Sequence, residues 1–170
     1  MQISGPPRGV RRLALASLLM ASQAFWSLGP LAAEEPSPFA KLAGRWSGEG
    51  RLGAREGKTE AVKCRVTYFV LEQGAQLKQT IRCASAGGTV EVQSTVMHAS
   101  GGLTGSWKEL VRDWSGELIG SVHANGFRVA VKGQHLNANM DIIVRGAKQI
   151  IEIQFIDSSL IGLTLILAKG

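Results

Sequence analysis

From residue 45 onward, apolar side chains recur at every second position in short runs. RWSGEG, EAVKCRVTYFVL, AQLKQTIRCA, TVEVQSTVMH and LTGSWKELVR are followed by GELIGSVHA, FRVAVKG, LNANMDIIV, QIIEIQFI and IGLTLILA. A period of two is the mark of strands with one face buried, so about ten strands are predicted. The segments between them, such as EQG, SAGG, ASGG, ANG and RGAK, are too short for a helical crossover, so neighbouring strands should be antiparallel. The expected fold is all-β: a single antiparallel up-and-down barrel of about eight to ten strands, since closure removes exposed edges. A two-sheet sandwich satisfies the same alternation. Ahead of the strands, FAKLAG reads as a short helix or turn stopped by Gly44.

The turns predict a register. Reversal about Gln73 and Gly74 sets Cys64 against Cys83, Val66 against Ile81 and Val70 against Leu77. Reversal at Ala86 and Gly87 then sets Cys83 beside Val90, Ile81 beside Val92 and Leu77 beside Val96. One choice of turn thus puts both cysteines and their apolar neighbours on one face, as a cross-strand disulfide requires. Asn125-Gly126 is the strongest local turn signal, of type I′, and matches Val122 with Val129 and Leu118 with Gly133. A turn at Gly146 and Ala147 matches Ile142 with Ile151 and Met140 with Ile153. The last strand offers Ile161, Leu163, Leu165 and Leu167 to the same core.

The first 33 residues have a different character. Arg8, Arg11 and Arg12 precede LALASLLM, and AFWSLGPLAA runs up to the polar change at EEPS. Charge, apolar stretch and small residues in that order read as a secretory signal, residues 1–33, cut near Ala33, leaving a barrel domain at 34–170. The other reading, a retained anchor, meets interruptions at Ser17, Ser22, Gln23, Ser27 and Pro30. No stable membrane span is expected after signal removal, and the destination is the periplasm or the exterior. There an oxidising environment favours the Cys64–Cys83 bridge. Removing three arginines lowers the formal charge from +6 to +3, and no dense basic stripe with interleaved aromatics remains, so no nucleic-acid partner is expected.

The segment LAGRWSGEG, Leu42 to Gly50, resembles the Gly-x-Trp opening of the calycin superfamily, which includes the lipocalins, and is similar to the start of nitrobindin-like barrels. That resemblance implies that Gly44 and Trp46 close one end of the barrel. A nitrobindin-like haem ligand would be a histidine late in the barrel; none follows His135, so no haem is expected. His98 and His123 fall near strand ends and should be exposed at turns. LTGSWKE, around Gly105 and Trp107, resembles an avidin segment, without a set of biotin-binding residues to match. As a whole, the pattern resembles small exported alphaproteobacterial proteins of unknown function.

The candidate site is a polar row on the inward face: Tyr68 opposite Gln79, Gln79 opposite Ser94, and Ser94 opposite Trp107. Buried amides and hydroxyls need partners. Either a ligand held against an apolar wall supplies them, or the row satisfies itself inside a filled core, or it sits at an open rim. Ser94, His98 and Glu109 come from separate segments without a nucleophile elbow, and no carboxylate pair is placed for glycoside hydrolysis, so catalysis is not expected. Asp113 and Asp157 read as turn residues, and Glu91, Glu117 and Glu152 as solvated. Neither a metal site nor a cofactor is expected. The functional expectation is an exported, lipocalin-like binder of a small apolar or amphipathic ligand. The alternative is a filled-barrel module of the cell envelope that contacts a protein or polysaccharide through outward Ile119, Ile143, Ile150, Ile156 and Ile166. A membrane pore fits poorly, because several runs are short and aromatic girdles are missing.

Overall fold

The computed structural model describes residues 1, 2, 5 and 36–170, so the expected signal lies almost wholly outside the described residues. Glu35–Gly170 forms one compact unit. Its strands are β1 (Gly44–Ala54), β2 (Thr59–Leu71), β3 (Gln76–Ser85), β4 (Gly88–Ala99), β5 (Gly102–Glu109), β6 (Trp114–His123), β7 (Gly126–Gly133), β8 (Asn137–Arg145), β9 (Lys148–Ile156) and β10 (Leu160–Lys169). Each strand pairs antiparallel with its sequence neighbour, and β1 pairs with β10, so the sheet is a closed up-and-down barrel. This architecture agrees with the calycin-like expectation. Closure gives both edges of the sheet a partner.

The β2–β3 and β3–β4 registers are those expected, and Cys64 and Cys83 form a disulfide directly across the β2–β3 ladder. Met140 and Ile142 face Ile153 and Ile151 as predicted. The β6–β7 hairpin departs from expectation. Val122 pairs with Phe127 and Leu118 with Val131, two positions from the predicted match. Gly126 is the first residue of β7, and the loop is Ala124-Asn125, neither with positive φ. The glycine serves close packing instead of the turn: a Cβ there would collide with the carbonyl of Ile142 on β8. The left-handed two-residue turn occurs at Ser100-Gly101, with φ of 50° and 77°. A two-residue shift preserves the faces, so Arg128 and Lys132 still point outward as expected.

Ile161 is a second correction. Gly53 pairs with Gly162 and Ala54 with Leu160, so Ile161 is the extra residue of a bulge, and its side chain is 58% exposed. Leu163, Leu165 and Leu167 point inward as expected.

The two ends of the barrel differ. One end carries the start of β1 and the β2–β3, β4–β5, β6–β7 and β8–β9 turns. Over it the segment Pro38–Leu42 makes a hydrogen-bonded turn, Leu42 N–H donating to Phe39 O at 2.8 Å. This is the turn form of the helix-or-turn expected for FAKLAG. Phe39 and Leu42 are each 1% exposed. Phe39 stacks on Phe127, with ring centroids 5.7 Å apart, and meets His98 edge-on at 6.2 Å. Ser37 Oγ ties the plug to the β2–β3 turn by donating to Gly74 O at 2.6 Å. His98 is therefore half-buried under the plug, not exposed at a turn as expected, whereas His123 is exposed.

Candidate functional site

Tyr68, Gln79, Ser94 and Trp107 form the expected in-register inward row. Tyr68, Ser94 and Trp107 are buried and Gln79 is half-buried. They do not satisfy one another. The Trp107 indole N–H donates to Lys132 O at 3.1 Å, and its ring lies over Gly133, where a Cβ would come within 2.7 Å of Cζ2. The Tyr68 hydroxyl accepts from Nε2 of Gln149, at 2.8 Å. Burial pushes the Tyr68 phenol well above its usual range, against a smaller opposing effect of the Gln149 bond, so it stays a neutral hydroxyl.

Gln149 was missing from the expected site although the pattern holds the signal for it. It is the first inward position of β9, two residues before Ile151, and pairs with Val144 and Leu167. Its side chain is fully buried, and Oε1 has no hydrogen-bond partner. Turning the amide over exchanges which atom is orphaned without removing the deficit. Ser94 Oγ is the other buried side-chain polar atom without a partner among the described residues. Two unmet polar groups thus lie among the inward-facing side chains.

Gly44 and Trp46 lie at the start of β1, at the plugged end. Trp46 is buried and its indole N–H donates to Leu42 O at 2.7 Å, while the Lys169 ammonium sits 5.4 Å from its ring centroid. Gly44 has φ of 111°, a left-handed angle that a side chain would strain.

At the opposite end Leu52, Val90, Trp114, Leu136, Ile153 and Leu163 pack on the core while remaining only half-buried. Trp114 stacks on His135, centroids 5.3 Å apart, and the Arg112 guanidinium lies 5.6 Å from its ring. Arg112 and His135 thus set polar groups beside the apolar side chains at this end. On the outer wall of β2–β6 a hollow of about 760 Å³ reaches Gln79, Ser94 and Trp107 from outside, beside Phe69, Thr80 and Lys108.

Glu109, 4% exposed, is a buried carboxylate at the same end as Trp114. It accepts from the backbone N–H groups of Arg112 at 2.7 Å, Val111 at 3.0 Å and Glu91 at 3.4 Å. Burial works against its charge, but these bonds and the Arg112 guanidinium outweigh it and hold the pKa below the ordinary value of 4.5. Its oxygens therefore brace the β5–β6 loop. No hydrogen bond joins Ser94, His98 and Glu109 among the described residues. Among those residues no group of three or more His, Cys, Asp and Glu side chains could hold a metal ion, and no helix is long and apolar enough to cross a membrane. Neither a protein-family model nor a curated protein matches this chain.

Proposed function

We propose that this protein is an exported, lipocalin-like binder that holds a small apolar or amphipathic molecule at the unplugged end of its barrel, without catalysing a reaction. The observation that carries the reading is the contrast between the ends: Phe39 and Leu42 stopper one, while Leu52, Val90, Trp114 and Leu163 stay half-buried at the other. Covering these side chains with an apolar molecule would remove surface from water at roughly 25 cal/mol per Å². Arg112 and His135 at the edge suit the polar end of an amphipathic ligand. Toward the interior, the unpartnered Ser94 Oγ would favour a ligand hydroxyl or amide. The disulfide fits an oxidising destination, the periplasm or the exterior.

A second reading, an envelope interaction module with a filled barrel, has its own support. Ile143, Ile150 and Ile166 lie side by side on the outer wall of β8–β10, and Ile166 is 58% exposed. The test is fluorescence of the apolar probe N-phenyl-1-naphthylamine with the barrel unit Glu35–Gly170. Enhancement that is lost in Leu163→Arg and kept in Ile166→Arg supports mouth binding. Enhancement that survives Leu163→Arg, or none at all, would sink the container and leave the outer wall.

A further inference from the structure

Arg65 on β2 and Arg82 on β3 stand directly opposite one another, both pointing outward. Like charges in this position destabilise a ladder, so the pairing calls for a compensating negative charge. Ser47 flanks Arg65 on β1, and Lys63 lies two residues before Arg65 on β2. These residues line a hollow of about 590 Å³ on the outer wall, together with Thr89, Glu91 and Val111. One carboxylate already serves the group: Glu91 accepts from Arg82 Nη2 at 2.8 Å. Glu49, in register with Lys63, makes no ion pair with it, and among the described residues neither Lys63 nor Arg65 has a carboxylate within salt-bridge distance. The transverse row continues past Ser47 through the small Ala168 to Lys148 and Arg145, so the positive field extends beyond the hollow.

We infer that this hollow on β1–β4 binds a phosphate-class oxyanion. Guanidinium groups present planar donor forks that match the oxygens of phosphate, and a compact dianion answers several cations at once where a single carboxylate does not. Lys63 adds a point charge, and the Ser47 and Thr89 hydroxyls add neutral donors. Leu110 and Val111, exposed beside the hollow, offer apolar contact if the phosphate is carried by a lipid. A free phosphate offers its oxygens as a dianion and a phospholipid as a singly charged phosphodiester, and both match the guanidinium forks.

The barrel unit Glu35–Gly170 separates these sources. Its melting is followed in sodium phosphate and in sodium chloride of equal ionic strength, and its co-sedimentation is measured with phosphatidylcholine vesicles with and without phosphatidylglycerol. Phosphate should raise the melting temperature relative to chloride, phosphatidylglycerol should capture the protein, or both. Arg65→Gln should weaken whichever interaction is seen by roughly ten-fold, the scale of one lost charge-assisted hydrogen bond. Lys63→Gln/Arg65→Gln should abolish it, while melting in chloride at or above the wild-type temperature because the Arg65–Arg82 repulsion is relieved. Arg128→Gln, whose arginine is paired with Asp141 elsewhere on the wall, should retain it. A response to phosphate alone assigns a soluble ligand, and capture by phosphatidylglycerol alone assigns a lipid-borne one. No preference for phosphate over chloride together with none for phosphatidylglycerol, or equal binding by the double variant, would overturn the site.

Discussion

Gln149 on β9 donates its side-chain N–H to the phenol oxygen of Tyr68 on β2 at 2.8 Å, joining residues 81 positions apart through the interior of the barrel. The bond meets one need of each side chain and leaves Gln149 Oε1 unpaired. Tyr68→Phe and Gln149→Leu should each lower stability by about 1–2 kcal/mol, because each strands a buried polar group on the other partner. The double variant should lose less than the sum, by about 1 kcal/mol. Strictly additive losses in urea denaturation would show that the bond does not couple the two.

The Cys64–Cys83 bridge spans a sequence separation of 19 residues. Constraining a loop of that size in the unfolded chain stabilises the fold by roughly 3 kcal/mol. Cys64→Ala/Cys83→Ala should therefore fold to the same barrel with a lower urea midpoint, and reduction of the wild type should lower the midpoint similarly. Coincident unfolding curves for oxidised and reduced protein would contradict this.

Two glycines on β1 should respond differently to the same substitution. A Cβ at Gly50 would collide with the carbonyl of Thr164 on β10, whereas at Gly53 the nearest such atom is Gly162 O at 3.8 Å, an ordinary contact. Gly50→Ala should cost about 1–3 kcal/mol through forced backbone shifts. Gly53→Ala should be neutral or stabilising by up to about 1 kcal/mol, as chain entropy in the unfolded state is reduced. Thermal melts of the two single variants make the comparison directly.

Phe39 is held at the plugged end by stacking on Phe127. Phe39→Ala should destabilise the barrel by about 3–5 kcal/mol, the cost of truncating a buried aromatic. Amide exchange in β6–β7 should rise with it. Unchanged protection there would mean the plug is not coupled to the wall it covers.

Glu109 makes stability depend on pH. Its pKa is depressed in the folded protein, so its contribution is present above the ordinary carboxylate value of 4.5 and is lost as pH falls through the lower folded value. Glu109→Gln should cost about 1.5–3 kcal/mol at neutral pH, the range for hydrogen bonds to a charged group. Below the folded pKa the gap between the variant and wild type should shrink, as read by urea midpoints across acid pH.

Much of the barrel was legible in local pattern. Alternation placed every strand, and the turns at Gly74 and Gly87 gave the register that brings Cys64 to Cys83, because antiparallel pairing turns a hairpin position into a list of partners. The Tyr68–Gln79–Ser94–Trp107 row followed from the same arithmetic. At Asn125-Gly126 the arithmetic erred by two residues because the glycine answers to a carbonyl on β8, a neighbour that the β6–β7 hairpin does not contain. Ile161 left the core for a comparable reason: β1 and β10, at opposite ends of the chain, meet through a bulge.

By itself the sequence determined which side chains share a face and which strands are adjacent, since both depend on a period of two and on short turns. Only the tertiary structure decided that Gln149 completes Tyr68, that Phe39 and Leu42 stopper one end while apolar side chains at the other stay half-buried, and that Arg65 and Arg82 share a hollow with Ser47. Those relations arise from closing the sheet and folding chain over its end, which sets residues remote in sequence at contact distance and determines how much water each retains.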